Sequence, residues 1–171
     1  MKALGLVVAG GAGVLLLAGI ARSQAPTAGT TAAATPMEHT ALAPSDIKWG
    51  DPPPVFNKGA KFAVLVGDPS KPGGYYAVRL KMPSGYKVMP HWHPMDENVT
   101  VISGSFAVGM GDKLDPKTKP LPAGSFFSMP AKMHHFSFAK GETIVEVSGV
   151  GPFALTYIDP KDDPSKQAAA K

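Results

Sequence analysis

His91 and His93 stand two residues apart, and on a β-strand that spacing sends both imidazoles out of one face, roughly 6.5–7 Å apart along the backbone. An adjacent pair would face opposite ways and could not converge on one cation. Glu97 follows after Pro94-Met95-Asp96 and can bring a carboxylate in from the next strand. A third imidazole is available much later, at His134 or His135. Neutral imidazoles with one carboxylate suit a single divalent transition-metal ion such as Fe, Mn, Ni, Co, Cu or Zn. Gathering these groups in a small core without a cation would be costly, because unpaired buried polar groups cost kcal/mol each. The residues therefore predict a metal-binding site.

The elements that position them are short. From Lys61 onward, strand-like runs alternate with Gly, Pro and Asp turns. The predicted strands are 61–66, 75–82, 86–93, 98–102, 105–110, 125–129, 135–138, 143–148 and 153–158. No amphipathic helix separates them, so the class is all-β, an antiparallel sandwich or barrel. Within 75–82, Tyr76, Val78, Leu80 and Met82 share one face and are predicted core; Tyr75, Ala77, Arg79 and Lys81 take the other. Arg79 is expected on a solvated outer face. Trp92, between the two histidines, must point away from the site, into the core between sheets or an interface between copies. Gly104 and Gly124 read as turn glycines with positive φ, and Asp112–Pro122 as a surface loop. Val99 and Val101 are placed to wall an apolar pocket opposite Met129 or Phe106.

The stretch from Gly85 to Gly104 resembles the first motif of the cupin superfamily, G-x5-H-x-H-x3-E-x6-G, at Gly85, His91, His93, Glu97 and Gly104. The second cupin motif, G-x5-P-x-G-x2-H-x3-N, is matched by Gly124, Pro130 and His135. Lys132 stands where that motif has its middle glycine and Ala139 where it has asparagine. The resemblance implies a cupin-type jelly roll, a double-stranded β-helix barrel, as a single domain over about 47–159. It also implies that His91, His93, Glu97 and His135 are the metal ligands. Counting from Pro130 favours His135 over His134. The two are neighbours on a strand and face opposite ways; Ser137 would share the face of His135.

Cupins with this ligand set include dioxygenases, oxalate decarboxylases, isomerases and ligand-binding proteins. The leading expectation is a metal-dependent, dioxygenase-like oxidoreductase acting on a small organic molecule, with Glu97 as ligand and catalytic proton acceptor. The alternative is a non-catalytic module whose metal is structural or sensing. A small-molecule substrate or ligand is the expected partner, and a homodimer the expected assembly if copies associate.

Composition narrows the rest. The 171-residue chain contains no cysteine, which excludes disulfides, thiolate metal sites and a cysteine nucleophile. Its formal charge of +4 is scattered with no basic stripe, so nucleic acid is not an expected partner. Residues 1–25 read as an export signal: Lys2 precedes the charge-free run Ala3–Ala21, and Ala21-Arg22-Ser23 offers a cleavage site after Ser23. Left uncleaved, the same run would serve as a membrane anchor. A periplasmic or secreted location is expected, or an outward-facing anchored one. Residues 26–46 form an Ala/Thr/Pro linker too poor in large apolar groups to order itself, and His39 within it is a solvated surface group. Residues 160–171 are a polar tail expected to fray.

Overall fold

The structure, a computed structural model, describes residues 39–168. The export-signal reading of 1–25 and most of the 26–46 linker lie outside them. The described residues contain ten strands: β1 (Lys61–Gly67), β2 (Tyr75–Met82), β3 (Lys87–Trp92), β4 (Glu97–Ser103), β5 (Ser105–Met110), β6 (Leu121–Pro122), β7 (Phe126–Met129), β8 (His135–Ala139), β9 (Thr143–Val150) and β10 (Thr156–Tyr157). They form two five-stranded sheets, ordered β1-β2-β9-β4-β7 and β10-β3-β8-β5-β6, and each pairing is antiparallel. The fold is the jelly roll that the motifs imply.

Alternation decides what fills the space between the sheets. On β2, Tyr76, Val78, Leu80 and Met82 are all buried and join the core with Val99, Val101, Phe106 and Val145. Fully burying one such aliphatic or aromatic side chain contributes about 1.5–3 kcal/mol. On the outer face Arg79 pairs with Glu146, directly across on β9, through a 3.0 Å contact. The position expected to be merely solvated thus forms a cross-strand ion pair, a contribution of about 0.2–1 kcal/mol. Trp92 is half-buried.

Gly104 has φ +79, and a Cβ there would come within 2.3 Å of the Glu142 carbonyl oxygen. Glycine is required at this turn for both reasons. Gly124 has φ +87, as expected. Gly109 serves differently: a Cβ there would lie 2.2 Å from the Phe136 ring, so the missing side chain is the seat for that buried aromatic.

Three segments differ from the sequence reading. Within the Asp112–Pro122 loop, Leu121–Pro122 forms the edge strand β6, pairing with Ser105 and Phe106. Only Thr156–Tyr157 of the run 153–158 is strand; Phe153–Leu155 instead crosses beside the histidine cluster, with Phe153 and Leu155 lining the cavity there. In the polar C-terminal segment, Pro160–Asp162 forms a 3-10 turn capped by the Asp159 side chain, and α1 (Pro164–Ala168) follows. No helix among the described residues is long and apolar enough to cross a membrane.

Candidate metal centre

β3 and β8 lie side by side with His91 directly opposite His135. His93 follows one residue after β3, and Glu97 opens β4 in the other sheet. The cluster therefore joins the two sheets across the barrel. All four side chains are buried, with residue exposures of 3% (His91), 6% (His93), 7% (Glu97) and 2% (His135). One nitrogen from each of His91, His93 and His135 lies within 4.8 Å of the others. The Glu97 carboxylate closes the set, its Oε1 3.5 Å from His93 Nε2 and its Oε2 3.4 Å from His135 Nε2.

Backbone carbonyls set the rings. Nδ1 of His91 is 2.6 Å from the Met89 oxygen, Nδ1 of His93 is 2.7 Å from that of Ala154, and Nδ1 of His135 is 2.9 Å from that of Met133. A carbonyl only accepts, so each Nδ1 carries hydrogen and donates. In the neutral ring Nε2 then keeps its lone pair, and all three lone pairs belong to the inward nitrogens. Two of these bonds are local, reaching back two residues along the chain. The third comes from the crossing segment, where Phe153 also stacks on His93 at 5.7 Å and 16°.

Electrostatics agree with the geometry. Burial, reinforced by His135 and His93, pushes the His91 pKa down to about 3. Burial also lowers that of His93. For Glu97 burial works upward, but His93, His135 and His91 together outweigh it and hold the carboxyl below its usual range. At neutral pH the site thus presents imidazole lone pairs beside a buried carboxylate. His93 Nε2 is sealed from solvent and lacks a hydrogen-bond partner. An orphaned buried nitrogen costs on the order of 1–3 kcal/mol, and a divalent transition metal is the group that would satisfy it along with the carboxylate. The residues fit such an ion.

The second-motif departures are absorbed locally. Lys132 takes up φ +63, the left-handed conformation that glycine adopts freely. Its N–H donates to the His93 carbonyl at 2.8 Å, and the Ala131 N–H donates to Asp96 Oδ1 at 2.8 Å. The turn keeps its register, so His135 faces inward while His134 is outside, 43% exposed and 2.6 Å from Asp112. Ala139 is buried, its N–H donating to the Tyr86 carbonyl at 2.9 Å.

The cluster opens into a cavity of about 40 Å³. Val99, Phe106, Met129, Val147, Phe153 and Leu155 are among its walls. Val99, Phe106 and Met129 stand where the strand pattern puts a pocket wall; Val101 packs in the core outside it. Sequence reasoning missed Phe153 and Ala154, whose bond to His93 spans 61 positions.

The family described as "Domain of unknown function (DUF4437)" matches residues 27–155. The chain belongs to DUF4437. No curated protein matches it. Solved structures that resemble this DUF4437 chain include an acetylacetone dioxygenase from Acinetobacter johnsonii, with 17% identity over 79% of this chain and 91% of that one, TM-score 0.57. The polyketide cyclase RemF from Streptomyces resistomycificus shares 16% identity over 77% and 94%, TM-score 0.58. An RmlC-like cupin protein from Ralstonia eutropha JMP134 shares 19% over 78% and 85%, TM-score 0.56. Identity at this level speaks to the fold alone. This DUF4437 domain shares the jelly-roll fold of the cupin structures it resembles.

Proposed function

We propose that this chain is an exported, metal-dependent cupin that acts as a dioxygenase-like oxidoreductase on a small organic molecule. One divalent transition-metal ion would be held by His91, His93, Glu97 and His135. The observation that supports this best is the convergence of three inward Nε2 atoms and one buried carboxylate on a largely apolar cavity. A bound ion of this kind supplies Lewis acidity or redox chemistry.

The protein's own residues would do the rest. The carbonyls of Met89, Ala154 and Met133 fix the rings, and the apolar wall excludes bulk water, which strengthens charge interactions inside. Glu97, ionised and within 3.5 Å of two imidazoles, is placed to accept a proton from a bound substrate. The similar fold of a structure named as an acetylacetone dioxygenase is compatible with this reading. Export rests on the pattern of residues 1–25, and fractionation of cells for a processed, extracytoplasmic form tests it.

The decisive experiment is elemental analysis of protein purified without added metal, followed by oxygen-consumption assays on small diketones, phenols and acids. One equivalent of metal, absent from a His91→Ala/His93→Ala double variant, is expected. Retention of metal by that variant overturns the ligand assignment. Stoichiometric metal with no turnover selects a binding module whose metal is structural or sensing.

A further inference from the structure

Ser137 lies two residues beyond His135 on β8 and lines the same cavity. The residue is 6% exposed. Besides the three histidines and Glu97, it is the one polar side chain among the described residues that face this space; the remaining wall is Val, Leu, Phe and Met.

Charge is distributed just as unevenly. No lysine or arginine among the described residues lines the cavity. Arg79, on the adjoining sheet, turns outward to Glu146. A divalent ion beside the Glu97 carboxylate would leave one net positive charge, enough for one anionic donor at the metal. A second anionic group, further along the cavity, would be buried against apolar walls with no cation to meet it, and a buried unpaired charge is far costlier than a buried hydroxyl.

We propose that the cavity takes a small ligand with one metal-binding head, a short apolar body and a single uncharged polar atom that pairs with the Ser137 hydroxyl, and that it rejects a second charge. This rests on the metal-site reading above and adds to it a residue that sets specificity. Ser137 and His135 are separated by roughly 6.5–7 Å along the strand, so the two polar ends of the ligand stand several bonds apart. Sugars and dicarboxylates are excluded; hydroxylated or carbonyl-bearing short chains are admitted.

The test uses the full chain loaded with cobalt(II), whose visible absorption reports on ligands at the metal. Three four-carbon probes share a carboxylate head and differ at the far end: butanoate (methyl), 4-hydroxybutanoate (hydroxymethyl) and succinate (carboxylate). Dissociation constants come from absorption titrations of the wild type and of Ser137→Ala. In the wild type 4-hydroxybutanoate binds about fivefold tighter than butanoate, the worth of one net hydrogen bond, and succinate at least tenfold weaker than butanoate. In Ser137→Ala the hydroxyl preference disappears while butanoate still binds and the cobalt content is unchanged. Equal binding of the first two probes to wild type, a preference that survives in Ser137→Ala, succinate binding as tight as butanoate, or no response to any probe overturns the proposal. Failure of the wild type to take up cobalt is a separate result, and it removes the metal reading beneath.

Discussion

Two connections lie side by side and do opposite jobs. The first, from His93 to Asp96, is bounded by two members of the site, His93 and Glu97. The second, from Pro130 to His134, contributes only the residue it leads into, His135. It is also the one that contains a non-glycine residue at positive φ, Lys132. They are bound to one another by the Lys132 N–H to the His93 carbonyl and the Ala131 N–H to Asp96. The first connection carries chemistry in its side chains. The second is a frame, and it holds its shape against a conformational cost so that the next strand enters in the correct register. Loops with the same neighbours can thus be constrained by entirely different demands.

The strongest test of that difference is at the exit of the second connection. His135→Ala is expected to lower metal affinity by more than the roughly 10–100-fold typical of losing a residue that merely supports a ligand. His134→Ala should leave the metal content of purified protein unchanged, because its ring faces Asp112 outside. Equal losses in the two variants would dissolve the contrast between frame and site.

Metal removal should affect both connections together. An ion held by three strands cannot be held by the unfolded chain, so at free metal about 100 times its dissociation constant it adds about 2.7 kcal/mol. With no cysteine in the chain, nothing covalent replaces that restraint. Chelation at neutral pH is therefore expected to lower the melting temperature by several degrees. Identical melting curves with and without metal would show that the cluster does not bind it usefully.

The metal-free protein should in addition be acid-sensitive. His91 titrates at about 3 in the folded state and at about 6.5 when unfolded, so between those values the unfolded chain takes up a proton that the native one refuses. Stability is then full above about pH 6.5 and falls as pH drops, by up to about 1.4 kcal/mol per pH unit for this histidine. His93, shifted in the same direction, adds to the slope. Denaturant unfolding of chelated protein at pH 7, 6 and 5 measures this, and a flat profile would contradict the assignment of neutral buried rings.

The smallest effect concerns the frame itself. Lys132→Gly relieves a left-handed lysine, worth about 1–2 kcal/mol, but frees the unfolded chain by about 0.5–1. The net expectation is a gain of about 0.5–1 kcal/mol in unfolding free energy with metal content unchanged. A loss of stability would mean that the lysine side chain itself is needed at this turn.

Much of this arrangement was legible because it depends on local spacing. The alternation of β2 announces its core face, and the two-residue step from His91 to His93, with Glu97 four beyond, already states a shared site. His135 over His134 followed from a register count, which holds because Lys132 tolerates the conformation that its place requires. What stayed hidden depends on distance along the chain. Phe153–Leu155 is apolar and reads as strand, yet it lies across the cavity, because its partners His93, Phe56 and Phe62 are far away in sequence. Leu121–Pro122 is too short to show alternation, and only the edge of β5 makes it a strand. Ser137 was legible as a neighbour of His135 but not as the one further polar side chain on an apolar cavity wall, since that depends on everything around it.

The three carbonyls that hold the imidazoles belong to Met89, Ala154 and Met133, and the side chains of those residues take no part in the bonds. Any amino acid at these positions would offer the same oxygen, so the aim of each ring is inherited through the path of the backbone rather than through the identity of a residue. Point substitutions cannot delete this support, and comparison of related sequences would leave no mark of it. The part of the site that decides which nitrogen faces the cavity has no letter of its own in the sequence.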